Sequence, residues 1–223
     1  MALILNLETA TKNCSVSLAK NGETIALKEI NDGKYSHGEK LHEFIAEVLE
    51  EANSNYNELD AIAVSKGPGS YTGLRIGVSA AKGLCFSLDL PLISCDTLKC
   101  LALSSEATEG FIVPLLDARR MEVYSAVFSE GNDAVRNIQA EIIDENSFQE
   151  YLDQGLVTFL GDGAAKCKDI ITHSNATFED GKFPSSSKMA KLSFEKFVNK
   201  DFEDVAYFEP FYLKDFVVTT KKK

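Results

Sequence analysis

A glycine-rich loop joining two apolar segments sets the first constraint on this chain. Leu59-Asp60-Ala61-Ile62-Ala63-Val64 reads as a buried strand. Ser65-Lys66-Gly67-Pro68-Gly69-Ser70-Tyr71-Thr72-Gly73-Leu74-Arg75-Ile76-Gly77 follows it, and Leu74–Leu88 is apolar, rich in small residues and free of proline. Pro68 fixes its own φ while Gly67 and Gly69 reach conformations closed to other residues, so the chain turns sharply there. Ser70 or Thr72 then caps the free amides of a helix over 74–88. Strand, tight loop and helix in that order specify a layered α/β unit.

The helix has small residues at Gly73, Gly77 and Ala81, every fourth position, although each glycine costs about 1 kcal/mol relative to alanine in a helix interior. A face so bare implies close approach by something: a phosphate, the protein's own sheet, or a second helix. A Walker loop requires Lys-Ser/Thr after its last glycine, and Leu74-Arg75 stand there instead. The dinucleotide pattern fails as well, because Gly67, Gly69 and Gly73 have the wrong second spacing. Arg75 remains able to reach an anion from the first turn. The internal sheet contact and the external helix contact both stay open.

At 223 residues the chain is long for one domain and short for two full ones, which suggests two small lobes, 1–106 and 107–223. No apolar stretch reaches bilayer length and no cleavable leader pattern opens the sequence. Five scattered cysteines, Cys14, Cys85, Cys95, Cys100 and Cys167, include no Cys-x-x-Cys pair, so reduced buried thiols in a cytoplasmic protein are expected. Thirty-four acidic against 23 basic residues give a net charge of −11. Such a surface repels the phosphate backbone that dominates nucleic-acid affinity. The one basic run, Lys221-Lys222-Lys223, is too short for a binding patch.

The first half reads as β-β-β-α-β-α-β-α. Ala2–Thr9 is an apolar strand and Cys14–Ala19 alternates. Asn21-Gly22 is a two-residue hairpin turn, and Thr24–Ile30 supplies the third strand. Leu41, Phe44, Ile45, Val48 and Leu49 mark a helix over Gly38–Ala52. Leu92–Cys95 and a helix over Thr97–Ser105 complete the set. The second half starts alike, with strands at Phe111–Leu116, Glu122–Ser129 and Val135–Ile143, a short helix at Ser147–Leu152 and a strand at Val157–Leu160. Phe178–Ser187 reads as loop and Lys188–Val198 as an amphipathic helix. The pattern is an internal duplication with a trimmed second copy.

Ile4-Leu5-Asn6-Leu7-Glu8-Thr9-Ala10-Thr11, the loop from Gly67 to Gly77, and Asp117-Ala118-Arg119-Arg120-Met121-Glu122-Val123-Tyr124 together resemble the TsaB (YeaZ) family. Gly161-Asp162-Gly163-Ala164 and Glu209-Pro210-Phe211-Tyr212-Leu213-Lys214 extend the likeness along the whole chain in order. The central loop is the specific part. The resemblance implies the actin-like ATPase superfold (ASKHA, ribonuclease H-like), two lobes of mixed sheet flanked by helices. It also implies a non-catalytic scaffold in the formation of threonylcarbamoyladenosine in tRNAs that read codons beginning with adenine. The implied partners are a larger catalytic paralogue, TsaD, and a small ATPase, TsaE. tRNA is met only through the complex, a homodimer forms in isolation, and no membrane is involved. The partner interface then comprises Gly67, Pro68, Gly69, Ser70, Tyr71, Thr72, Gly73, Arg75, Ile76, Gly77, Ala80 and Ala81.

The departures bear on chemistry. In the actin-like fold an aspartate that organises metal and phosphate commonly ends the first strand, and here Glu8 stands there. The paralogue's His-x-x-x-His places two imidazoles on one helix face; here His37 and His42 are five apart and diverge by about 140° on a helix. His37 is expected at the helix start and His42 at the surface, with no metal. No nucleophile elbow or Ser-His-Asp set is legible, and Cys85 and Cys95 read as inert buried thiols. Asp117, Arg119 and Arg120 form either ion pairs between the lobes or contacts to a partner or small ligand. Gly161, Asp162 and Gly163 lie where the actin-like fold seats an adenosine, so nucleotide binding is expected to be vestigial or weak and no cofactor is required. The alternative from another class is a small-molecule phosphotransferase or ATPase using the cleft between lobes. A metallopeptidase requires the metal site that is missing.

Overall fold

A computed structural model of the chain describes residues 1–33 and 36–213. Its two five-stranded sheets share one plan. The first contains β1 (Leu3–Glu8), β2 (Cys14–Lys20), β3 (Glu23–Ile30), β4 (Ala61–Gly67) and β5 (Leu92–Asp96) in the order β3-β2-β1-β4-β5. The second contains β6 (Phe111–Asp117), β7 (Glu122–Ser129), β8 (Ala134–Ile142), β9 (Val157–Leu160) and β10 (Ala176–Glu179), ordered β8-β7-β6-β9-β10. In each sheet the central strand is antiparallel to its hairpin neighbour and parallel to the next strand in, β1 to β2 and β4, β6 to β7 and β9. The duplication read from the sequence is thus present in the pairing.

Local chemistry accounts for the elements. Asn21 and Gly22 both take positive φ at the β2–β3 turn, which a two-residue hairpin demands. β1 is buried from Ile4 to Glu8 because helices cover both faces. Leu5 and Leu7 join a core with α1 (His37–Glu51) and α2 (Tyr71–Leu88), whereas Ile4 packs on the opposite side with Met189, Leu192 and Phe194 of the C-terminal region. α3 (Thr97–Ala102) supplies Leu98 and Leu101 to a third core with Ile112, Leu116 and Phe128, joining the two sheets. α4 (Gln149–Leu152) is one turn behind the second sheet.

Several boundaries differ from expectation, and α2 begins at Tyr71, three residues before Leu74. β4 runs three residues past Val64, and α3 stops at Ala102. β10 falls where a loop was expected from Phe178 onward, and its four residues are too few to show a period. The amphipathic stretch begins as a 3-10 turn over Ser186–Met189 before α5 (Ala190–Val198). The division of the lobes also changes. The sequence places 107–223 in the second lobe, yet residues 184–213 return to the first. Ser186 and Ser15 share a hydrogen bond of 2.8 Å, Ser193 donates to Asn6 at 2.7 Å, and Glu203 pairs with Leu92. Lys214 and the Lys221–Lys223 run lie outside the described residues.

Candidate functional site

The glycine loop folds against the first strand of its own lobe. Ser70 caps α2, accepting from Gly73 N at 3.3 Å. Its amide donates to Ala10 O at 2.6 Å. The Thr9 hydroxyl donates to Gly73 O at 2.8 Å. A Cβ at Gly69 would strike Ala10, and at Gly73 or Gly77 it would strike Thr9, in each case closer than real side chains approach. Ala81 is fully buried. The Gly73-Gly77-Ala81 stripe is therefore the inner face of α2, packed against the chain's own β1–β2 turn and core rather than open to a partner as the sequence suggests. The small residues admit the β1–β2 turn, which seals the helix N-terminus. Gly67, at φ 110°, is likewise internal: a Cβ there would lie 2.9 Å from Phe211 O.

The opposite face of α2 is open. Thr72, Arg75, Ser79, Gly83 and Phe86 are exposed along one stripe, Phe86 at 86%. Thr72, Arg75, Ser79 and Gly83 edge a groove of about 680 Å³ that also takes in His42, Tyr71, Ile76, Ala80 and Leu84. At Gly83 an added Cβ would meet nothing within 4 Å, so no contact within the described chain calls for a glycine there. Of the interface residues expected from sequence, Tyr71, Thr72, Arg75, Ile76 and Ala80 reach this groove. Pro68 and Ser70 stay in the loop behind it. Ser79, Gly83, Leu84 and His42 were not singled out. Gly83 carried a signal, since it falls outside the 73-77-81 register and so required a reason of its own.

The two central strands end differently. Glu8 is fully buried at the end of β1, its Oε1 accepting from Ala10 N at 2.6 Å and Ser65 Oγ at 2.8 Å. Its Oε2 has no hydrogen-bond partner among the described residues. Burial pushes the carboxyl up to about 7, against the pull of those two donors. Asp117, ending β6, is exposed and pairs with Lys166. Arg119 and Arg120 are exposed at positive φ in the β6–β7 turn, which corrects the reading of core ion pairs between the lobes. Asp162 accepts from Asp117 N at 2.9 Å. A Cβ at Gly161 would strike Leu115 O, and one at Gly163 would lie 3.0 Å from the same atom. Both glycines thus let their turn close on β6.

His37 begins α1 buried, its Nε2 2.7 Å from Thr11 O, and burial lowers its pKa. His42 is exposed on the groove. Among the described residues no three His, Cys, Asp or Glu side chains gather as metal ligands. All five cysteines are free and buried, and burial drives their thiols upward, to about 12 for Cys85 and Cys95. Those thiols are protonated at neutral pH. No helix among the described residues is long and apolar enough to cross a membrane.

The family model for TsaD, tRNA N6-adenosine threonylcarbamoyltransferase, matches residues 32–221. The chain belongs to this family. Its relatives place it with TsaB (YeaZ). The tRNA threonylcarbamoyladenosine biosynthesis protein TsaB of Escherichia coli (strain K12) is 29% identical over 98% of this chain and 97% of its own length. The protein of that name from Bacillus subtilis (strain 168) is 33% identical over 60% of this chain and 58% of its own. A crystal structure described as an uncharacterized protein with similarity to peptidase YeaZ from Pseudomonas aeruginosa superposes with a TM-score of 0.85. It is 23% identical and covers 96% of this chain and all of its own. The chain shares the fold of that structure.

Proposed function

We propose that this TsaB family member takes part in forming threonylcarbamoyladenosine in tRNA as a non-catalytic scaffold, pairing the outer face of α2 with a TsaD-like transferase. Gly83 in its open groove carries the reading. A glycine in a helix interior costs about 1 kcal/mol, and here nothing in the described chain repays it. Close approach of a second backbone does, by analogy with small-residue helix contacts elsewhere. One family model describes both this chain and the transferase, which supports two related folds meeting through equivalent helices. In isolation the same face pairs two copies. A TsaE-like ATPase joins the assembly in the cytoplasm.

The isolated chain, at net charge −11, binds tRNA weakly, because phosphate contacts supply most non-specific affinity. Reconstitution tests the proposal. Modification of tRNA stops when this chain is left out, and also when Gly83→Leu replaces the wild type, although that variant stays folded. Undiminished modification without the chain, or tight salt-sensitive tRNA binding by the chain alone, overturns the scaffold reading.

A further inference from the structure

The open face of α2 carries one fixed charge, and the C-terminal segment holds it in place. Arg75 is exposed in the first turns of the helix. Its guanidinium lies 4.0 Å from the centre of the Tyr71 ring, one helical turn back, and 5.9 Å from that of Tyr212. Its Nε–H donates to Tyr212 Oη at 3.1 Å. The two rings sit 5.0 Å apart. Tyr212 reaches this position because the chain after α5 runs as a strap beside α2. Glu203 N donates to Leu92 O at 2.8 Å, Lys82 Nζ donates to Ala206 O and Phe208 O at 3.0 Å each, and Phe211 N donates to Lys66 O at 2.7 Å.

The charge pattern runs against the rest of the molecule. Overall the chain is at −11, yet the 18 residues of α2 include Arg75 and Lys82 and no acid. Lys82 is committed to the strap, which leaves Arg75 as the helix's cation without an ion pair among the described residues. No carboxylate among the described residues forms an ion pair with it. Two aromatic contacts and one hydrogen bond fix the plane of the guanidinium without neutralising it. An arginine so held has lost side-chain freedom in advance, and its planar fork matches a carboxylate.

We infer that Arg75, clamped by Tyr71 and the C-terminal strap, receives a carboxylate from a helix of the partner seated in the groove. This rests on the pairing face proposed above and names its electrostatic determinant. Tyr212 is a positioning residue, since it acts through Arg75.

Affinity between this chain and the TsaD-like transferase, measured at about 50 mM and about 0.5 M salt, tests the inference. Arg75→Ala is expected to weaken binding at least ~10-fold at low salt and to flatten the salt dependence. Arg75→Lys does not restore it, because an ammonium lacks the planar fork. Tyr212→Ala costs less, about threefold, while keeping part of the salt slope. Thermal unfolding of Arg75→Ala matches wild type, because the side chain is exposed. An unchanged affinity and salt slope for Arg75→Ala overturns the inference. So does dependence on Arg75 confined to self-association, which assigns the contact to a second copy. Gly83→Leu separates the two levels: if it also binds normally the pairing face itself is wrong, and if it alone fails to bind only the role of Arg75 is lost.

Discussion

The two lobes repeat one sheet, and the loop that follows the strand parallel to each central strand shows what the repeat preserved. After β4 the chain turns through Gly67 at φ 110°, and after β9 through Gly161 at φ 105°. Both glycines close against a carbonyl of their own chain, Phe211 O and Leu115 O. Beyond that point the lobes part. The first continues into the 18 residues of α2, and the second into a 3-10 turn over Ala165–Cys167. The ends of the central strands part as well, Glu8 buried and Asp117 exposed. A sheet of this order therefore closes without a long helix at this position, as the second lobe demonstrates. What α2 adds in the first lobe is an inner face that seals β1 and an outer face on which Thr72, Ser79, Gly83 and Phe86 stay exposed.

The sharpest way to break this comparison is Gly77→Leu. If α2 seals the first lobe from inside, the new side chain collides with Thr9 and destabilises the fold by about 3 kcal/mol or more, at or above the usual range for overpacking. Chemical denaturation measures it. Unaltered stability with lost association would instead return the stripe to an external role.

Glu8 tests the sealed strand end. Its folded pKa, about 7, lies above the 4.5 of an ordinary glutamate. The folded state thus binds the extra proton between those values, and stability falls as pH rises through that window. A displacement of this size corresponds to about 3 kcal/mol. Glu8→Gln keeps the neutral form at every pH, so its denaturation midpoint exceeds that of wild type at pH 8 and meets it near pH 4. An identical slope in both proteins refutes the buried, neutral carboxyl.

Gly83→Ala is expected to stabilise the isolated chain by roughly 0.5–1 kcal/mol through helix propensity, because no atom opposes the added methyl. A destabilised variant would show that the outer face is internally packed. Asp117→Asn gives the smallest effect. Its pair with Lys166 is solvated, with 46% of the Asp117 side chain exposed, and such pairs contribute about 0–1 kcal/mol. A larger loss of stability would make the two strand ends alike and remove the contrast between the lobes.

What the sequence determined by itself was local. Asn21-Gly22 specifies its hairpin because both residues accept positive φ, Ser70 specifies the start of α2 because its hydroxyl reaches a free amide, and Leu41, Phe44, Ile45 and Val48 declare one face of α1. The resemblance in the 67–77 loop carried the family and fold. The tertiary structure alone decided which side of α2 each small residue serves. The register separates Gly83 from Gly73 and Gly77, but glycine records that something approaches closely and not from where. Only the position of Thr9, 64 and 68 residues from the first two glycines, separates the inner contact from the outer. Tyr212 likewise meets Arg75 across 137 residues. No period or turn signal encodes that meeting, because it depends on α5 and the strap returning to the first sheet.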